Sequence, residues 1–338
     1  MIQAPSAEAV AAYYSGLEGY WHPVAVGSDL DAEPLPVELL GRRLVLVRLE
    51  GEAVCFDDLC RHLGSALSIG EVLDGERLRC RYHGWTYDRT GHVVDIPARR
   101  GAPIPREAKV HPYAVREAYG LVWVRLGQER SPLLEYPEWS DEAFRKTGYR
   151  VYPVWAASAT RIVMGALDDT HFPWVHPGTL GDQAHPEPPD HEVSVEGDRL
   201  VSTYAIEQPA NLSLGSAAGA AGREEVVYTN TVTPTAIRLL KEAPAGRFVL
   251  FQVMQPLSYL STRIYLQVAR DFDLEPARDE SYLEFEDGIQ AQDQPVVESQ
   301  RPWLLPPLSS RLMLYVRPAD LPLIRFQKWM EELGIPEL

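Results

Sequence analysis

Hydrophobic residues gather into short runs over the first third of the chain. Leu44 to Leu49 is an apolar, β-rich run, followed by Gly51-Glu52 and then Ala53 to Phe56. That pattern predicts a hairpin. More short strands are predicted near 77–80, 85–88, 92–95, 110–116 and 120–126, with Gly75, Gly91 and Gly120 between them. Ahead of them, residues 6–14 read as a short helix with Ser6 as N-cap and Glu8 in its first turn. Near 127–142, Gly127, Pro132, Pro137 and a cluster of acids predict a linker or long surface loop. Strand-like runs return at 150–158, 193–206, 225–233, 247–256 and 260–270. Helical patterns cover Thr160 to Thr170, Asp279 towards Gln300, and 321–333. The last is apolar over more than a simple core face, which suits packing on a sheet or at a subunit contact. Residues 207–225, rich in Ala, Gly and Ser, predict a flexible loop or a lid. The layout is a small all-β domain followed by an α+β domain.

Composition narrows the class. The 338 residues carry 48 acidic and 32 basic side chains, a net charge of −16, with 45% hydrophobic residues. This is globular composition, and its acidity argues against nucleic acid as a partner. Three cysteines cannot build a disulfide framework, so a reducing, cytoplasmic setting is expected. No apolar stretch reaches the length of a membrane span, and the opening MIQAPSAEAV does not read as a signal peptide.

The cysteines carry the first chemistry. Cys60-Arg-His62 is followed, after seventeen residues, by Cys80-Arg-Tyr-His83. Zinc fingers usually pair Cys with Cys and His with His. Mixed pairs instead suit a Rieske [2Fe–2S] centre, in which one iron takes two thiolates and the other two imidazoles. A zinc site and a chance grouping are the alternatives. His62-Leu-Gly64 and His83-Gly84 place small residues beside each histidine. Cys55, within Val54-Cys55-Phe56, reads as an inert core thiol.

The second constellation is Asp168-Asp169-Thr170-His171-Phe172-Pro173-Trp174-Val175-His176. Two histidines five apart, near a helix end broken by Pro173, can converge on one metal. A facial triad needs one more carboxylate. Asp293 is the best candidate, because it falls on the helical stripe of Tyr282, Phe285, Ile289, Val296 and Gln300. Asp287 and Glu298 are the rivals. Pro295 is expected to kink this helix. Asp168, three residues before His171, is placed on the same helical face and suits a bond to the second imidazole nitrogen. Asp169 is expected to be exposed.

With these motifs the chain resembles the oxygenase component of the Rieske non-heme iron oxygenases, over roughly 20–300. CRHLGS, CRYHGWTYD, HFPWVHPGTLG and QDQPVVESQ carry the resemblance. It is similar to the branch containing phthalate dioxygenase and the vanillate and dicamba O-demethylases. The resemblance implies an all-β Rieske [2Fe–2S] domain over 20–130. It implies an α+β catalytic domain from 1–19 and 131–338, whose antiparallel sheet and helices cover a mononuclear iron site. Cys60, His62, Cys80 and His83 would hold the cluster. His171, His176 and Asp293 would hold Fe(II). In a homotrimer, Asp168 would bridge a neighbouring subunit's Rieske histidine to an iron ligand. Dioxygen would be the co-substrate, and electrons would come from an NAD(P)H-dependent reductase or ferredoxin. A small organic substrate, hydroxylated or demethylated, would sit in an apolar pocket drawn from 205–265. Many members carry Asn three residues before the bridging Asp, and here that position is Gly165. An electron carrier without its own oxygenation chemistry is the alternative.

Other features weigh less. His22, His92, His111, His185 and His191 match no motif. Gly215, Gly219 and Gly222 lack the frame of a phosphate-binding loop, so no nicotinamide site is expected in this chain. Residues 60–110 hold nine basic and six acidic side chains, a local net of +3. That excess is either local scatter or a docking face for an acidic electron donor.

Overall fold

The computed structural model describes residues 4–216 and 221–335. Residues 1–3, from the stretch read for a signal peptide, and 217–220, with Gly219 of the expected lid, lie outside them. The chain divides into two compact units, Glu18–Ser131 and a second formed by Met1–Leu17 with Pro132–Leu338.

The Glu18–Ser131 unit contains two antiparallel sheets. The larger runs, edge to edge, His22–Val26, Leu121–Arg125, Pro112–Ala118, Glu52–Asp57, Arg42–Leu49, Leu35–Leu39. The smaller runs Glu71–Leu73, Arg77–Arg79, Thr86–Tyr87, Val93–Asp95. The uninterrupted apolar run Leu44–Val47 is buried on both faces of its strand. Val45, Val47 and Phe56 join Leu78, Tyr87 and the two cysteines Cys60 and Cys80 in one core cluster. Burying each large side chain there contributes roughly 1.5–3 kcal/mol. Three strands escape the sequence pattern: His22–Val26 and Leu35–Leu39 each contain proline, and Glu71–Leu73 is only three residues long.

The second unit is built on an antiparallel sheet. It runs Arg145–Lys146, Ser261–Arg270, Gly246–Ser258, Ala236–Ala243, Arg223–Thr233, Arg199–Pro209, Glu192–Glu196, and Arg150–Val151 also pairs with Ser261–Arg270. Among the described residues five α-helices accompany it: α1 (Ala7–Leu17), α2 (Ala159–Leu167), α3 (Phe172–Val175), α4 (Asp279–Ser299) and α5 (Leu321–Glu332). Ser6 Oγ accepts the Ala9 N–H at 3.0 Å and caps α1. From α1, the Tyr13 hydroxyl accepts the Ala159 N–H at the start of α2. Helix α5 packs on α2 and on Glu192–Glu196, burying Phe326, Trp329 and Met330.

Several expected elements are redrawn. The run 193–206 is two strands divided by a turn at Gly197-Asp198, and of 150–158 only Arg150–Val151 is strand, ahead of Pro153. Ala236–Ala243 was not expected, because Arg238 and Lys241 interrupt its hydrophobicity. The 127–142 stretch is not a plain linker: Glu138 is buried there and ion-paired with Arg238. Within 207–225, Glu207–Pro209 continue a strand and Asn211 caps a short turn by accepting the Ser213 N–H. No helix among the described residues is long and apolar enough to cross a membrane.

Candidate metal centres

The two cluster loops fold alike. In each, the cysteine carbonyl accepts the N–H of the glycine four residues on: Gly64 to Cys60 at 2.9 Å, Gly84 to Cys80 at 3.0 Å. In each, the cysteine N–H donates to the carbonyl five residues on, Ser65 or Trp85. Gly64 and Gly84 have φ of +74° and +73°, the left-handed region that glycine enters without strain. The histidine stands at the third position of the first loop and the fourth of the second.

The thiols of Cys60 and Cys80 are buried, while His62 and His83 are exposed. The two Nδ1 atoms lie 3.1 Å apart, and His62 stacks on Trp85 at 4.8 Å between centroids. Burial pushes the Cys60 thiol up, and the Tyr87 hydroxyl pulls it back. That hydroxyl lies 3.1 Å from Cys60 Sγ and accepts the Arg61 N–H at 3.1 Å, so its own proton is free for the sulfur. Tyr87 was missed in the sequence because its hydroxyl reaches across to the other loop, at Cys60 and Arg61, a contact that local spacing does not show. A neighbouring pair of thiols and a neighbouring pair of imidazole nitrogens, carried on two like loops, fit a [2Fe–2S] cluster, and hydrogen bonds to sulfur tune its potential. Cys55 is buried with its thiol pushed up by burial, as expected of a core residue. Of the local basic excess, Arg77, Arg79 and Arg89 are ion-paired with acids of the same unit, while Arg61 and Arg81 are exposed.

The second centre lies in the other unit. His171 and His176 flank α3, and their Nε2 atoms are 3.1 Å apart. Pro173 does not break a helix; it opens this one-turn helix, where a missing N–H costs nothing. Asp293 Oδ1 lies 3.0 Å from His176 Nε2 and 3.5 Å from His171 Nε2. The three side chains offer ligand atoms within 4.8 Å of one another. Each imidazole has an acceptor on its far side. Asp168 Oδ2 is 3.4 Å from His171 Nδ1, and Gln292 Oε1 is 2.7 Å from His176 Nδ1. Those acceptors favour the proton on Nδ1, which leaves two Nε2 lone pairs and a carboxylate facing each other. Such a set is repulsive by itself and fits a divalent cation.

The rival carboxylates point elsewhere. Asp287 is held by Arg150 and Tyr152, and Glu298 accepts the Ala156 N–H. Asp168 is not on a helical face: α2 ends at Leu167, and Asp168 caps it in extended conformation. It reaches His171 through a turn in which Asp168 Oδ1 accepts the Thr170 N–H at 2.8 Å. Burial raises this carboxyl, but the bonds with His171 and Thr170 outweigh burial and hold it below its ordinary range. Asp169 is buried, not exposed, because the same turn directs it to His191, 3.2 Å away. The α4 stripe is also rotated from expectation. Val296 is exposed, and Glu286, Gln290 and Val297 face inwards with Asp293. Pro295 lies inside α4, which continues to Ser299.

A cavity adjoins the triad, with about 520 Å³ of empty space, open solvent included. Its sheet wall comes from 205–265 and alternates with strand register: Tyr228 opposes Lys241, and Leu239 opposes Leu250. The pocket is not simply apolar, since Lys241, Gln252, Glu286 and Gln290 line it as well. Gly165 lines it too, and a Cβ there would meet Val297 at an ordinary 3.4 Å.

Residues 20–112 match the Rieske [2Fe-2S] domain, and residues 155–334 match the vanillate O-demethylase oxygenase C-terminal domain. The methylxanthine N1-demethylase NdmA of Pseudomonas putida is 34% identical over 94% of this chain and 89% of its own. The N3-demethylase NdmB of the same organism is 30% identical over 94% and 90%. The structure of NdmA from Pseudomonas putida CBB5 with caffeine superposes with a TM-score of 0.86 at 30% identity, covering 96% of this chain and 92% of that one. The chain belongs to the Rieske non-heme iron oxygenases, as a terminal oxygenase component with a [2Fe–2S] domain ahead of an α+β catalytic domain.

Proposed function

We propose that Cys60, His62, Cys80 and His83 hold the cluster, that His171, His176 and Asp293 hold Fe(II), and that the chain oxidatively removes a methyl group from a small heterocycle in the adjoining cavity. The cluster domain is assigned to 20–130 and the catalytic domain to 1–19 with 131–338, in line with the two compact units. The convergence of three ligand atoms within 4.8 Å at the cavity wall carries the reading. A pure electron carrier has no use for that convergence. The methylxanthine demethylases among the relatives support an N-methyl substrate.

Bound iron supplies the activation of dioxygen, drawing on electrons passed from the cluster. The remaining work belongs to the chain. Asp168 and Gln292 keep the Nδ1 protons of the two histidines and so aim their Nε2 atoms inwards. Phe172, Leu180, Leu239, Leu250 and Ile289 wall the cavity and exclude water. One oxygen atom enters a methyl C–H bond, and the other leaves as water with two electrons and two protons. The hydroxymethyl product then collapses to N–H and formaldehyde.

The electrons come from a separate NAD(P)H-dependent reductase or ferredoxin. The working form is a cytoplasmic homotrimer, in which Asp168 links a neighbouring subunit's Rieske histidine to His171. Its contact with His171 and its depressed carboxyl support that role. Oxygen uptake and formaldehyde release with a surrogate reductase test the reaction. The expected result is formaldehyde in proportion to oxygen consumed with an N-methyl heterocycle. Uptake by the reduced, iron-loaded protein that no such compound stimulates would refute the substrate class.

A further inference from the structure

One end of the cavity carries polar groups that neither iron binding nor electron transfer uses. Glu286 lies on α4 two turns before Asp293 and on the same face. It is 3% exposed and lines the cavity, yet among the described residues it accepts no hydrogen bond and joins no ion pair. Burial raises its carboxyl, and the Lys241 ammonium draws it back.

Lys241 stands on the sheet wall, equally buried. It donates to Ser213 Oγ at 2.8 Å and lies 5.3 Å from the ring centroids of Tyr228 and Phe248. An ammonium has three donors, and one is used. No ion pair within 4.0 Å closes the space between Lys241 and Glu286. Gln290 Oε1, on the same cavity, is buried without a partner. Buried polar groups are almost always satisfied, so this end is shaped for a ligand with its own donor and acceptor.

The charges restrict that ligand. A carboxylate would suit Lys241 but would be repelled by Glu286 and Asp293. A cation would suit Glu286 and leave Lys241 unsatisfied. A neutral edge presenting an N–H beside a carbonyl satisfies both. Tyr228, Leu239, Leu250 and Ile289 supply apolar walls for a ring that carries such an edge.

We propose that Glu286 and Lys241 select the substrate: a ring N–H donates to the Glu286 carboxylate while the neighbouring carbonyl accepts from Lys241. The substrate is then an N-methyl heterocycle that keeps one free amide-type N–H, and its fully N-methylated counterpart is disfavoured. This rests on the assignment of the cavity as the substrate site.

Theobromine, with one imide N–H between two carbonyls, and caffeine, in which that nitrogen is methylated, are the test pair. Dissociation constants are measured on the cluster-containing, iron-loaded protein by equilibrium dialysis. Theobromine should bind roughly tenfold tighter or better, because a site built for an N–H leaves its acceptor unpaired against the methylated analogue. The double variant Glu286→Leu, Lys241→Met removes both charges together and should bring the two ligands within about twofold. Its cluster spectrum and iron content report that it has folded. Equal or tighter binding of caffeine by the wild type, or a preference that survives in the double variant, would overturn the proposal. So would failure of both xanthines to bind the iron-loaded protein, which would leave the triad assignment standing. A wild-type chain that retains no mononuclear iron would instead strike at the triad itself.

Discussion

Replacing Gln292 by leucine removes the acceptor that the structure places on His176 Nδ1, at 2.7 Å. The His176 side chain is 1% exposed although Gln292 itself is exposed, and an apolar leucine over Nδ1 offers it no acceptor. A buried N–H left without a partner costs about 1–3 kcal/mol. Loss of an outer partner of a metal-bound histidine typically lowers affinity about 10–100-fold, which is roughly 1.4–2.8 kcal/mol. The two estimates agree. Gln292→Leu should therefore raise the Fe(II) dissociation constant about 10–100-fold and leave the cluster untouched, since no cluster ligand lies on α4. Gln292→Glu keeps an acceptor at the same reach and should stay close to the wild type. The assay is a chelator-competition titration of protein stripped of mononuclear iron, with the cluster absorbance counting folded chains. A leucine variant that binds Fe(II) as tightly as the wild type would show that the Gln292 bond does not orient His176.

Three further outcomes follow from the packing. Glu138→Ala leaves Arg238, with a side chain only 13% exposed, as an uncompensated buried charge, and should cost about 3–5 kcal/mol in denaturant unfolding; a loss near zero would show that the pair is not structural. Burial raises the Asp279 carboxyl, but Arg145 and Arg270 outweigh burial and hold it below the ordinary range. Its stabilisation is therefore present above the unfolded value of about 3.9 and fades as pH falls through the lower folded value. Asp279→Asn should lower Tm at neutral pH and converge on the wild type in strong acid; parallel curves would contradict that linkage. Gly165→Ala should gain roughly 0.5–1 kcal/mol of helix stability while raising KM, because the new methyl enters the cavity; an unchanged KM would place the substrate elsewhere.

The legible parts of this chain are those whose geometry is local. Cysteine and histidine recur at short spacing within each cluster loop, so the candidate ligand set and the glycine turns follow from sequence. His171 and His176 are likewise joined by a single short helical turn. Asp293 was found by helical periodicity, although the stripe itself was drawn one position off. Its inward neighbours Glu286 and Gln290 are polar, so a stripe drawn through apolar residues passes over them. Lys241 escaped for the same reason. It sits at an inward strand position between Tyr228 and Phe248, and only the register of three strands shows it. Asp169 and His191 meet because the turn after α2 reverses the expected helical direction. Periodicity finds apolar faces; it does not find polar groups that a cavity has drawn inwards.

The most direct test of the two-centre assignment is iron content with the visible spectrum, measured on the wild type and on His171→Ala. The wild type should carry about three irons per chain, two in the cluster and one mononuclear. His171→Ala should carry about two, with the cluster absorbance unchanged. A wild type with no third iron, or a variant that loses the cluster spectrum together with the iron, would contradict two separate centres.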